Sequence, residues 1–189
     1  MRTLKNTLFL GAISLVLSAC GGGGSSSPTP AAIAPPPPPA AESQYDKQTK
    51  AAREQFETRL SDALAASQAW LETNRREDGV ITTASGLQYR VDKPSPNPDG
   101  KKYEGDQTVT VHYEGRLTDG TVFDSSFNRG RPENLKPSEL IEGWQEALSL
   151  MYPGDEWTLF IPPALGYGEL GKGGGIPANA ALIFKVELR

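Results

Sequence analysis

Cysteine and histidine occur once each in the 189 residues, and methionine twice. A lone Cys forms no intrachain disulfide, and one Cys with one His cannot assemble a Cys/His zinc site. No spacing argues for an all-carboxylate metal site either, so neither a metal nor another cofactor is expected. An excess of positive charge is also missing: the net charge is -4 and the pI about 5.1, with Lys and Arg scattered, which argues against nucleic acid as a partner. The apolar run from Leu8 to Leu17 is shorter than the about 20 residues of a comfortable membrane span.

What is there begins with Met-Arg-Thr-Leu-Lys ahead of that run, the pattern of a secretory signal. It ends in Leu17-Ser18-Ala19-Cys20, which resembles the bacterial lipoprotein processing motif. That resemblance implies residues 1–19 as signal peptide and a lipidated Cys20 as first mature residue; the alternative is a cleavable signal with an incidental thiol. Gly21 after the Cys resembles the pattern of enteric lipoproteins sorted to the outer membrane. The implied location is the bacterial cell envelope, as an outer membrane lipoprotein with its domain in the periplasm or at the surface. Residues 20–41 are, beside Cys20, Thr29 and Ile33, all Gly, Ser, Pro and Ala, with Pro35 to Pro39 unbroken, too poor in apolar side chains and too stiff to build a core. They read as a tether, or as a ligand for a proline-binding domain.

Residues 42–79 lack Pro and lack Gly until Gly79, and predict one long helix from Glu42 to Asp78. Phe56, Leu60, Ala63, Ser67 and Trp70 keep a three-four spacing, widened by Leu64 and Leu71. The stripe is shorter than a sustained coiled coil requires. It packs on its own domain, or it forms a dimer seam or a client-holding arm.

Residues 80–189 predict short strands over Val80 to Thr83 and Leu87 to Val91, then a Pro-rich loop. Val109, Val111 and Tyr113 alternate with Thr110, His112 and Glu114, the period of a half-buried strand. Asp119-Gly120 predicts a two-residue primed turn into a strand from Thr121 to Asp124. Ser138 is a candidate cap for a short helix with Trp144, Ala147, Leu148 and Met151 on one side. Strands follow at Glu156 to Ile161 and Ala181 to Leu188. The fold class is therefore α+β, an antiparallel sheet curled around a short helix and preceded by a long one.

Three decoys lie in this region. Gly166 to Gly173 contains a G-x-G-x-x-G, but Gly174, Gly175 and Pro177 deny it the helix that would bind phosphate, so it reads as a Gly-rich flap. His112 has no nucleophile elbow to serve and reads as a structural residue of a sheet face. Asp124 and Asp155 could pair for glycoside chemistry, but Asp155 sits in a Pro-Gly-Asp turn.

Val-His-Tyr-Glu-Gly, Asp-Gly-Thr-Val-Phe-Asp-Ser-Ser, Glu-Leu-Ile-Glu-Gly-Trp, Tyr-Gly and Leu-Ile-Phe-Lys-Val-Glu-Leu together resemble the FKBP-type peptidyl-prolyl isomerases, from about Thr82 to Arg189. Trp70-Leu71-Glu-Thr-Asn and the segment from Asp78 to Tyr89 resemble the bacterial subfamily typified by the macrophage infectivity potentiator. The resemblance implies an FKBP-like half-barrel and a peptidyl-prolyl cis-trans isomerase without a covalent intermediate. It implies a pocket lined by Tyr113, Phe123, Asp124, Leu140, Ile141, Trp144, Tyr167 and Phe184, with Arg129 matching the Arg of the Phe-Asp-Ser-Ser pattern. Asp124, Tyr167 and the backbone N–H of Ile141 take the catalytic roles; Tyr113, Phe123, Leu140, Trp144 and Phe184 hold the substrate. The implied partners are proline-containing unfolded or nascent envelope proteins, macrolide inhibitors of the family, the membrane through a lipid anchor, and a second copy through the helix. Glu133-Asn134-Leu135 stands where many relatives carry an aromatic residue, which implies a thinner pocket wall. The competing readings are a proline-peptide-binding chaperone with little turnover and a structural lipoprotein with no pocket in use.

Overall fold

The computed structural model of the protein describes residues 43–173 and 175–189. The signal segment, Cys20 and the Pro-rich stretch lie outside the described residues. Helix α1 spans Gln44–Asn74 and opens on a capping box: Ser43 Oγ accepts the Asp46 N–H at 3.1 Å, and the Asp46 carboxylate accepts the Ser43 N–H at 3.1 Å. It stops four residues before the expected Asp78. Arg76 and Glu77 N–H groups turn back onto Thr73 and Asn74 carbonyls, while the Asn74 side chain donates to Gln88 Oε1 at 2.9 Å. Gly79, at φ 78°, then reverses the chain.

Seven strands follow: β1 Val80–Thr82, β2 Gln88–Lys93, β3 Val109–Leu117, β4 Val122–Ser125, β5 Glu133–Leu135, β6 Glu156–Ile161 and β7 Leu182–Leu188. They form one antiparallel sheet in the order β1-β2-β6-β7-β3-β4, with β5 also pairing β3. Helix α2, Glu142–Leu150, buries Trp144, Ala147 and Leu148 against the sheet, with Met151 just beyond its end. Leu182, Phe184, Val186 and Leu188 are buried as the alternation required. The α+β expectation of a sheet curled around a short helix holds.

Two local expectations fail. The β3–β4 turn is a three-residue loop, because Gly120 N–H donates to Leu117 O at 3.0 Å and Leu117 N–H to Thr121 O at 2.9 Å. Only Gly120, at φ 88°, is left-handed there, whereas a primed turn needs two such residues. Asp119 instead accepts the Thr121 N–H at 2.8 Å. Second, Ser138 does not cap α2. It lies in a single 3-10 turn, Pro137–Glu139, where its N–H donates to Asp106; the cap position of α2 is Ile141, with no side-chain bond. Gly143, at the start of α2, has a packing role. A Cβ there would lie 2.6 Å from Ile161 Cγ2, so this glycine lets α2 settle onto β6.

The second half of α1 packs on the sheet. Leu71 joins Phe160 and Ala181 in a small core flanked by Trp70, Val80 and Ile183, with the Trp70 and Phe160 rings 5.9 Å apart. The first half does not: residues 44–59 are exposed, Phe56 at 61%. The stripe seen in the sequence is thus divided. Leu60 to Asn74 belongs to the domain and Phe56 does not.

Candidate active site

A cleft of about 250 Å³ opens between β3, β7, the start of α2 and the loop after β6. It falls below the range of about 300 to 1,000 Å³ typical of drug-sized ligand sites, and so suits a residue with its flanking backbone. Its floor is Trp144, only 4% exposed. The indole meets Tyr113 edge-on at 5.4 Å and Phe184 edge-on at 5.3 Å, the geometry that ring quadrupoles favour. Held by these two rings within the main buried cluster, which also contains Leu148 and Met151, the indole has a fixed orientation. Tyr113 and Phe184 reach it because β3 and β7 pair with Tyr113 opposite Val186 and Gly115 opposite Phe184.

Phe123 sits one step aside, in an adjoining hollow of about 130 Å³ that shares Asp124, Tyr167, Lys172 and Phe184 with the main cleft. Its ring meets Phe184 edge-on at 5.5 Å. Both rings lie over Gly115, where a Cβ would be 2.6 Å from each. The Gly of Val-His-Tyr-Glu-Gly is thus a place for two aromatic edges.

Asp124 owes its position to a bulge. Gly115 pairs with Asp124 and Arg116 with Val122, which leaves Phe123 as an extra residue in β4. Between β4 and β5, Ser126 continues the ladder, its N–H donating to Tyr113 O at 2.9 Å and its Oγ accepting the Tyr113 N–H at 2.7 Å. His112 Nδ1 lies 2.5 Å from the same Oγ, and its ring packs on Phe127, so the histidine is structural. Asp155 likewise stays out of the cleft, accepting N–H groups of Ser95 and Tyr152 in a turn.

The Asp124 carboxylate accepts from Arg129 Nη1 at 2.5 Å and from the Tyr113 hydroxyl at 2.7 Å, and Arg129 Nη2 donates to that hydroxyl at 3.0 Å. Burial opposes the charge on Asp124, but the bonds from Arg129 and Tyr113 outweigh it and hold the carboxyl below the usual carboxylate range. Burial, together with the bond to Asp124, pushes the Tyr113 phenol up to about 12. The bond to Asp124 chiefly raises the Arg129 guanidinium. Near pH 7 the site therefore holds a fixed carboxylate, a neutral phenol and a fixed cation.

Tyr167 and Ile141 both line the same cleft. Among the described residues no acceptor takes the Ile141 N–H, the donor at the cap of α2. The G-x-G-x-x-G segment opens no α-helix. It makes a short 3-10 turn, Gly168–Leu170, and closes on itself through the Lys172 and Ile176 backbones, as the flap expectation required. Of the segment expected to form a thinner wall, Leu135 lines the cleft, and two further lining residues, Glu139 and Lys172, escaped the sequence reading. Leu135 forms the wall next to Leu140; Glu139 and Lys172 supply opposite charges, with Lys172 Nζ 3.4 Å from the Tyr167 hydroxyl. Glu133 is absent from that lining and accepts from Arg129 Nε at 3.0 Å. Among the described residues no three His, Cys, Asp or Glu side chains converge as a metal site would require.

Residues 100–189 match the family profile described as FKBP-type peptidyl-prolyl cis-trans isomerase, and residues 36–91 match the domain amino terminal to FKBP-type peptidyl-prolyl isomerase. The crystal structure of FkpA from Escherichia coli superposes with a TM-score of 0.65 at 35% identity, over 79% of this chain and 72% of that one. The chain belongs to the FKBP-type peptidyl-prolyl cis-trans isomerases. Its relatives within that family include the peptidyl-prolyl cis-trans isomerase Mip of Coxiella burnetii, 49% identical over 65% of this chain and 52% of that protein. The outer membrane protein MIP of Legionella longbeachae is 40% identical over 77% of this chain and 62% of its own length. The match to these two relatives thus spans about half to three fifths of their length.

Proposed function

We propose that this FKBP-type chain catalyses cis-trans isomerisation of X-Pro peptide bonds, assisting the folding of proline-containing proteins of the bacterial envelope. The observation that carries this reading is Trp144, boxed edge-on by Tyr113 and Phe184 with its remaining face toward the cleft. Rotation about a peptide bond meets a barrier of about 18 to 20 kcal/mol because it abolishes amide resonance. The planar amide is the more polar state, so an apolar box penalises it relative to the twisted one. A flat, apolar proline ring that donates no hydrogen bond suits the indole. The Ile141 N–H and the Tyr167 hydroxyl orient the flanking carbonyls, and Asp124, fixed by Arg129, adds a dipole that needs no reorganisation during the twist. No nucleophile or metal enters this scheme. Lowering the barrier by about 7 kcal/mol corresponds to about five decades of rate.

A protease-free isomerisation assay on an X-Pro peptide tests the reading. Exchange between cis and trans faster than the unaided tens of seconds supports it. Binding of the peptide at the unaided rate would leave a proline-peptide holder instead. The same cleft takes macrolide inhibitors of the family, with Leu135 in place of an aromatic wall.

The location follows from Cys20, which we infer to be lipidated and to anchor the chain in the outer membrane. Support comes from Leu-Ser-Ala-Cys and from the similarity to the outer membrane protein MIP of Legionella longbeachae. No helix among the described residues is long and apolar enough to cross a membrane. Cys20→Ser should leave the protein unprocessed or release it from membranes on fractionation. The exposed first half of α1, with Tyr45 and Phe56, supports a pairing seam or a client-holding arm.

A further inference from the structure

The flap bears Tyr167, yet it has little to hold it in place. Glu169 and Leu170 face solvent, Leu170 at 96% exposure, and the segment is rich in glycine. Its fixed points are hydrogen bonds. Gly171 N–H donates to Tyr167 O at 3.1 Å, and Lys172 and Ile176 exchange two backbone bonds of 3.0 and 3.2 Å. These close the loop on itself without fixing it to anything else. Ile176, buried in the main core, anchors its far side.

The near side is fixed by Asn179. This residue is 3% exposed and, among the described residues, is the only non-glycine with positive φ, at 54°. Its N–H donates to Gly168 O at 2.8 Å, one residue from Tyr167. Its side-chain amide donates to Leu60 O of α1 at 2.9 Å, and its carbonyl accepts from Ser67 Oγ of α1 at 2.6 Å. Ser67 Oγ in turn accepts the Ala181 N–H at 3.0 Å, just ahead of β7. The N–H, the backbone carbonyl and the side-chain NH2 of Asn179 are thereby all engaged, in a backbone conformation that an ordinary residue resists.

We propose that α1 is the strut that sets the flap, with Ser67 and Asn179 as positioning residues for the Tyr167 hydroxyl. The geometry favours this over a purely structural bond set, because the residue tied to α1 through its side-chain amide and its carbonyl also holds, through its N–H, the Gly168 carbonyl one residue from Tyr167. A helix of 31 residues is a rigid support, whereas the flap alone closes only on itself. Through Asn179, the helix determines how sharply the Tyr167 hydroxyl is aimed. The inference rests on the isomerase reading for its effect on turnover, and not for its effect on the flap.

Ser67→Ala removes the hydroxyl and leaves two buried backbone groups without partners, and Asn179→Gly keeps the left-handed backbone while deleting the amide that reaches Leu60. Two measurements on the full chain decide the matter. Amide hydrogen exchange should show the Gly171 and Asn179 N–H groups losing protection in both variants, while those of β3 and β7 keep theirs. In the isomerisation assay, Ser67→Ala should lower kcat by about twofold to threefold, no more than Tyr167→Phe does, with KM little changed, as misplacement of an orienting group does. Placed in a Tyr167→Phe background, Ser67→Ala should lower kcat no further, since its effect passes through the hydroxyl already removed. Unchanged flap protection in both variants would overturn the strut. An equal loss of kcat in both backgrounds would overturn the positioning role and leave a structural contact. If the wild-type chain proved inactive on X-Pro peptides, the exchange data would still judge the strut, and only the isomerase reading would fall.

Discussion

The cleft has a floor and a flap, and the two are built in opposite ways. Trp144, Tyr113 and Phe184 are core residues whose exposed edges happen to face the cleft, so the floor is as rigid as the packing beneath it. The flap has Ile176 in the core, a glycine-rich backbone and a set of hydrogen bonds. The difference teaches a division of labour. Binding by apolar contact needs a large area, which a core supplies. Orientation of a carbonyl needs one donor at one point, which a lightly built loop supplies at little cost in buried surface. Substitutions in the floor should therefore change stability and binding together, and those in the flap should change turnover alone.

Trp144→Ala should have the largest effect. Truncating a buried Trp typically costs about 3 to 5 kcal/mol, so urea unfolding should shift strongly and prolyl-peptide binding should fall. Trp144→Leu refills the core and should recover most of the stability while binding stays weak; recovery of both would mean that the indole is only filler. Gly115→Ala comes next. The added methyl would sit 2.6 Å from the Phe123 and Phe184 rings, and overpacking of this kind typically costs about 1 to 3 kcal/mol. Its unfolding midpoint should drop and its peptide affinity should weaken together. Tyr167→Phe should be milder and of the opposite type. Losing one net hydrogen bond of about 0.5 to 1.5 kcal/mol should slow turnover by about threefold to tenfold, with the unfolding curve nearly unmoved. A large stability loss in Tyr167→Phe would erase the contrast between floor and flap.

The smallest effect is a pH dependence that belongs to the floor. Asp124 is held below the usual carboxylate range, so its stabilisation is present above the ordinary aspartate pKa and is lost as pH falls through the lower folded value. Tyr113 is pushed up to about 12, so its contribution is full below the ordinary tyrosine value near 10 and is lost as pH rises through about 12. Unfolding measured across pH should show the acid limb diminished in Asp124→Asn and the alkaline limb diminished in Tyr113→Phe. Limbs unchanged in both variants would mean that the Arg129–Asp124–Tyr113 network is not coupled to folding.

Much of the floor was legible in the sequence because its logic is periodic. The alternation through Leu182, Phe184, Val186 and Leu188 and the one-sided spacing of Trp144, Ala147, Leu148 and Met151 translate directly into burial. The flap was legible as irregular, through its glycines. What was not legible depends on encounters between distant segments. Which residue of Glu133-Asn134-Leu135 would turn to the cleft depends on the pairing of Leu135 opposite Val109 across 26 residues of sequence. Glu139 and Lys172 meet the cleft from segments about thirty residues apart in sequence, and no local rule announces them. Asp119-Gly120 pointed to the correct reversal and the wrong loop, because Asp119 serves Thr121 through its side chain instead of adopting a left-handed backbone. The division of α1 at Leu60 was hidden because the apolar stripe runs without a break across packed and exposed halves.

Residues 44–59 of α1 extend past the last contact with the sheet. At about 1.5 Å per residue this overhang is about 24 Å long, and its start is clamped by the reciprocal Ser43 and Asp46 bonds. A rod of this kind transmits rotation. Because the packed half of α1 is fastened through Leu71, Trp70 and Asn74, the direction in which the cleft opens is inherited from the direction of the rod. Whatever grips the helix near Ser43 would steer the whole catalytic face, and a single compass bearing would be set at one end and read at the other.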